Sequence, residues 1–301
     1  MNRMMMIAAV GALAGAAAAQ TTVQYNGATF DRWNYPFNGS PETRDVATTF
    51  SPGFTPGVFD DRDAQVVTTF VTGNDVQPGL GVGAYQISRA TLTATIDPRF
   101  GGVFAYDPTA DSYRSHLLPS DPDWVPDTDA GRAIELFGTA FRNGLNPFAF
   151  HNPATPFAFA DPTLEGVRNA YAAGFVGGSL VDVSNNVRDR FEASPFAVGQ
   201  ANLNPGDLVP GDTTFTFEID VNDPNIQAYL AQSLNAGVVS FSITSLHLTT
   251  QGGPAEYPGF YTNESFFPDA LPFSLEITAT PAPAGVALLG LGGLSAVRRR
   301  R

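Results

Sequence analysis

Carboxylates are the side chains of this 301-residue chain with the most obvious capacity for chemistry. Asp60-Asp61-Arg62-Asp63 follows Phe59 at an expected strand entry, and Asp121, Asp123, Asp127 and Asp129 crowd one turn-rich stretch ahead of Gly131 and Glu135. Calcium takes about six to eight oxygen ligands, and closely spaced loop carboxylates can supply them. Asp121, Asp123, Asp127 and Asp129 are therefore the candidate metal set, with calcium as the cofactor. Neither Gly131 nor Glu135 falls where an EF-hand loop needs it, and a solvated acidic loop explains the same residues without metal.

The other catalytic chemistries find little support. His116, His151 and His247 stand in unrelated contexts and Cys is absent, so a zinc site would need all three or acidic help. They read as ordinary surface or loop histidines. No Gly-x-Ser-x-Gly elbow is present, and Gly177-Gly178-Ser179-Leu180 imitates one poorly. Carboxylate pairs about 5–10 Å apart, as glycoside hydrolysis requires, arise by chance among 29 acidic residues. The chain therefore reads as a non-enzyme. Trp33 and Trp124, with Tyr35, Tyr106 and Tyr113, offer stacking surfaces for sugar rings. Trp124, in a polar loop, is the better ligand candidate, and a place at the edge of the core is the alternative.

The elements that must position these residues are strands. Thirty Gly, 24 Pro and 24 Phe describe many turns between short strands. Period-two alternation recurs at Gln65–Thr72, Arg89–Ile96, Thr213–Val221, Val239–Thr244 and Phe273–Thr278, the pattern of strands with one buried face. Ile134–Phe141 is ambiguous and leans to strand. Asp223-Pro224 is an N-cap with Pro at the first helical position. Ile226, Tyr229, Leu230 and Leu234 follow at helical spacing, and Gly237 caps the end. Asp161-Pro162 starts a similar segment. The stretch from Gly101 to Pro162 reads as long loops laid over one end of the sandwich.

Both ends have the composition of processing segments. Arg3, the uncharged run Met4–Ala16 and Ala17-Ala18-Ala19 describe a signal peptide over residues 1–19, cut after Ala19 to leave Gln20 first. At the other end Thr280-Pro281-Ala282-Pro283 leads into the apolar stretch Ala284–Val297, which is about 21 Å long as a helix. Arg298, Arg299, Arg300 and Arg301 then close the chain and should stay on the cytoplasmic side. This order of proline motif, short transmembrane helix and arginine cluster resembles the PEP-CTERM sorting signal, in the form common in planctomycete-like genomes, with Pro281-Ala282-Pro283 where the name has Pro-Glu-Pro. The resemblance implies a signal peptidase and an exosortase-like protease as processing partners, and transient insertion of the tail in the inner membrane. Asp223–Gly237 with the strand and loop that follow, and GAYQISRATLTATI, resemble exported DNRLRE-type, carbohydrate-module-like jelly rolls. That likeness implies a β-sandwich and an extracellular polysaccharide as ligand.

All 16 basic residues are Arg; setting aside Arg3 and the four terminal arginines leaves 11 against 29 acidic residues. So acidic a surface repels phosphate backbones and excludes nucleic acid as a partner. Without Cys there are no disulfides, so stability must come from packing. The expected protein is all-β, a jelly-roll-like β-sandwich over residues 20–279 with one or two short helices, and a sorting segment at 280–301. It is expected to be secreted to the cell surface or extracellular matrix in a structural or adhesive role. The alternative is a polysaccharide-active hydrolase or lyase.

Overall fold

The computed structural model describes residues 20–35, 44–53, 59–150, 168–249, 253–267 and 270–281. The signal-peptide region through Ala19, the tail from Ala282 and Pro283 to Arg301, His151 and the helix expected from Asp161 lie outside them. Among the described residues no helix is long and apolar enough to cross a membrane.

Alternating sequences build two antiparallel sheets. The smaller has the order β1 (Thr21–Tyr25), β13 (Ser274–Pro281), β5 (Tyr85–Thr95), β10 (Thr214–Glu218). The larger runs β2 (Phe30–Asn34), β4 (Gln65–Val71), β11 (Val238–Ser245), β6 (Ile134–Phe141), β7 (Ala170–Val176), β8 (Ser179–Asp182), with β9 (Ala197–Val198) beside β6. A two-stranded piece pairs β3 (Val46–Thr48) with β12 (Gly259–Tyr261). The protein is thus all-β and sandwich-like, and Ile134–Phe141 is a strand. A short α1 (Pro147–Phe150) and α2 (Pro224–Ala236) complete it.

One core joins the sheets. Leu92, Ala94, Phe215, Phe217, Leu275 and Ile277 of the smaller sheet share it with Val66, Phe70, Leu136, Phe241 and Ile243 of the larger. Helix α2 closes one end, burying Ile226, Leu230, Ala231 and Leu234. Its limits follow from capping. Asp223 accepts from the N–H groups of Asn225 and Ile226, Pro224 occupies the first turn, and Gly237 stops the helix in the left-handed region at φ 76°. Gly138 of β6 admits the ring of Tyr229, because a Cβ there would stand 2.8 Å from it. The Tyr229 hydroxyl in turn accepts from the N–H of Thr139, 2.8 Å away.

The outward faces of the two sheets differ. On the smaller sheet the expected alternation holds: hydroxyl pairs such as Thr93 with Ser274, at 2.6 Å, and the pair Arg89–Glu276, at 3.1 Å, stand toward water. On the larger sheet the expectation of one buried face fails. Ser240, Ser242 and Thr244, alternating with the core residues of β11, are as buried as the core, and so are Asn34, Gln65, Thr69, Glu135 and Thr139. A layer of connecting segments, including residues 59–63 and 183–193, covers them, and the covered polar groups bond to one another. Thr69 meets Ser240 and Thr139 meets Ser242, both at 2.8 Å.

Arginines reach into this layer. Arg62 lies in an irregular segment just before β4, yet it is buried: its Nη1 donates to Glu135 at 2.5 Å and to Thr244 at 2.8 Å, and its Nε to Asn186 at 3.1 Å.

 

Arg168 does the same work nearby, pairing with Asp60 and, at 3.2 Å, with Asp63, while its Nη1 donates to the Asn34 carbonyl at 2.7 Å. Removing one partner of such a pair leaves a charge stranded in a dry layer. Arg62→Met should therefore lower stability by about 3–5 kcal/mol, and adding Glu135→Leu should restore most of it. Denaturant unfolding of the two variants checks this; equal stability of Arg62→Met and the parent would refute the role given to the pair.

Candidate functional site

Where the covering layer meets the end of β11, it leaves a cleft of about 280 Å³. Leu117, Leu118, Val187, Leu246 and Leu248 give it an apolar lining, and Ser51, Asp61, His116, Arg188 and Arg190 bring polar groups. The volume is near the lower end of the range for small-molecule pockets, about 300–1,000 Å³. One wall is the short 3-10 turn Tyr113–His116, started by Ser112, whose side chain accepts from the Arg114 N–H. The opposite wall is the turn carrying Val187, Arg188 and Arg190. The Arg188 N–H donates to Asp61 at 2.7 Å, which ties that wall to the acidic run 60–63.

The two expected acidic clusters are each divided among arginines. Asp60 and Asp63 go to Arg168, and Asp61 to Arg188. Burial pushes Asp63 up to about 7 despite Arg168 beside it. Of the candidate metal set, Asp121 and Asp123 are held by Arg190 at 2.7 and 2.5 Å. The hydrogen bond from Arg190 keeps the Asp121 carboxyl below its usual value. Asp127 pairs with Arg132 at 2.5 Å, and Asp129 accepts from Thr109 at 2.7 Å. The four therefore do not converge on one point. Asp127 and Asp129 face Asp107 and Asp111, which the sequence reading did not single out.

Trp124 is half-buried against Leu117, Val187 and Leu246, at the back of the cleft wall. Trp33 stacks on Tyr35 at 4.8 Å and donates its indole N–H to the Thr48 carbonyl. Gly177-Gly178 forms the two-residue turn between β7 and β8, with both φ angles positive at 57° and 81°. Two such residues suit a hairpin turn of this length, so Ser179 begins a strand.

The histidines require a correction: His116 and His247 are buried, at 8 % and 5 % exposure. His116 Nε2 lies 3.6 Å from Asp111, and burial, then Arg132 and Arg62, hold its pKa well below the usual value. His247 stands edge-on to Phe104 at 5.2 Å. Burial, and secondarily Arg132, bring its pKa down to about 3. No signal of spacing marked this pair, because 131 positions of chain separate two residues that only the tertiary fold brings together.

No protein-family model matches the chain, and no curated protein is significantly similar to it.

His247 carries a pH signature. It stays neutral in the fold down to about pH 3, whereas an unfolded histidine takes up its proton near about 6.5. The stability it contributes is complete above that value and is lost as pH falls below it, by about 2 kcal/mol at about pH 5. Replacing it cancels this loss and leaves the contributions of Asp63, Asp111 and His116 common to both proteins. Between pH 7.5 and 5, as working conditions of roughly this span, His247→Gln should lose about 2 kcal/mol less than the parent. Parallel pH profiles in urea unfolding would contradict it.

Proposed function

We propose that the chain is an exported protein of the cell envelope or extracellular matrix, structural or adhesive in role, whose jelly-roll-like sandwich holds a segment of exopolysaccharide in the cleft. The cleft carries this reading. Its apolar lining suits the carbon face of a sugar ring, while Ser51, Asp61 and the guanidinium groups of Arg188 and Arg190 suit hydroxyl and carboxylate substituents. The export component rests on the two end segments, with support from the pairing of Thr21 with Ala279, which sets Gln20 and Pro281 at the same corner of the smaller sheet. A signal peptidase and an exosortase-like protease would then act side by side in space.

A second reading, a polysaccharide-active hydrolase or lyase, draws on His116 and Asp61 lining the same cleft, with Asp111 behind His116. It requires that the bound polymer be shortened and that His116→Ala abolish the shortening.

Leu118 is 48 % exposed and lines the cleft, so Leu118→Asp should leave the melting temperature within about 2 °C. Retention on immobilised exopolysaccharide should weaken by about tenfold or more. Unchanged retention would reject the cleft as the binding site. Mass spectrometry of protein recovered from the culture medium should find Gln20 as the first residue and no arginine tail, and an exported chain that keeps Arg298–Arg301 would reject the sorting step.

A further inference from the structure

We infer a divalent-cation site, of calcium type, formed by Asp107, Asp111 and Asp129 with Asp127 beside them. It does not depend on the exopolysaccharide reading. One carboxylate oxygen from each of Asp107, Asp111 and Asp129 lies within 4.8 Å of the others. Oxygens on opposite sides of a calcium ion, each about 2.3–2.6 Å from it, span that distance.

One observation points to a ligand beyond the crowding of acids. Asp107 is 3 % exposed, and its Oδ2 has no hydrogen-bond partner among the described residues. A buried carboxylate oxygen left in that state is costly unless a cation meets it. The cluster itself is short of protons. The Thr109 hydroxyl stands 2.8 Å from Asp107 Oδ1 and 2.7 Å from Asp129 Oδ2, yet it has one proton to donate. One of those two oxygens faces a lone pair. Arg132 supplies the positive charge nearby, and it is engaged by Asp111 at 3.2 Å and Asp127 at 2.5 Å. Asp111 and Asp127 thus share one guanidinium.

The chain is shaped to bring these groups together. Gly131 takes φ 101°, and a Cβ there would meet the Ala105 carbonyl at 2.8 Å and Asp107 Cβ at 3.1 Å. Glycine lets the segment bearing Asp127 and Asp129 lie flat against the one bearing Asp107. Asp129 is exposed and leaves the site open on one side for entry. A bound ion would fasten the segment from 107 to 132, which includes the cleft wall at Leu117 and Leu118.

The test uses the whole purified chain, stripped with chelator and titrated with calcium chloride in calorimetry and thermal melts. One calcium ion per chain is expected, with the melting temperature rising about 5–10 °C at calcium a hundredfold above its dissociation constant. Asp129→Asn, at an exposed position, should bind at least about tenfold more weakly. In chelator it should melt within about 2 °C of the parent, since the position is exposed, and in calcium it should melt well below. Asp121→Asn, in the Arg190 pair, should bind as the parent does. No calcium uptake, or uptake unaltered in Asp129→Asn, would overturn the site. So would a loss of stability in Asp129→Asn of the same size with and without calcium.

Discussion

Covering the second face of the seven-stranded sheet is the constraint on which the rest of this structure depends. A sheet face rich in Ser, Thr, Gln, Asn and Glu does not exclude water by itself, and burying it demands a partner for nearly every polar atom. Hydroxyl pairs across neighbouring strands meet part of that demand. The rest falls to arginine, whose planar fork reaches several acceptors at once. Arg62 joins a strand, the covering layer and the neighbouring Glu135 in a single contact set. Arg168 performs the corresponding task between Asn34 and the acidic run. The cleft lies beside this covering layer, at Leu246 and Leu248 just past the end of β11.

The same constraint explains why acidic residues so numerous do not simply repel one another. With no lysine, every cation in the chain is a guanidinium, and those at Arg62, Arg132, Arg168, Arg188 and Arg190 are each committed to carboxylates. Around Asp107 the supply runs out. A local excess of negative charge in a half-dry position differs physically from an acidic surface, where water screens each group.

Much of the strand layout was legible in the sequence. Alternation at 89–96 and 213–221 reports a face that packs and a face that meets water, which is what the smaller sheet has. Asp223-Pro224 and Gly237 delimit a helix by local chemistry, so neighbours in the chain suffice to find it. The covered polar face was not legible, since alternation records polarity and says nothing of what lies on top. The surroundings of the acidic loop were hidden for a related reason. Spacing grouped Asp121 and Asp123 with Asp127 and Asp129, but Arg190, far along the chain, draws the first two away. Asp107 and Asp111 join the others through a fold at Gly131 that no local pattern announces.

Strand β1 lies against β13, and the hydroxyls of Thr22 and Thr278 come within 2.9 Å across 256 positions of chain. Among the described residues β1 has β13 as its sheet neighbour, so the first described strand waits for the last. Loop closure over such a distance is slow compared with hairpin formation. A chain emerging front-first would hold β1 as an unpaired ribbon, open to mispairing with other copies, until the final strand came free and docked beside it.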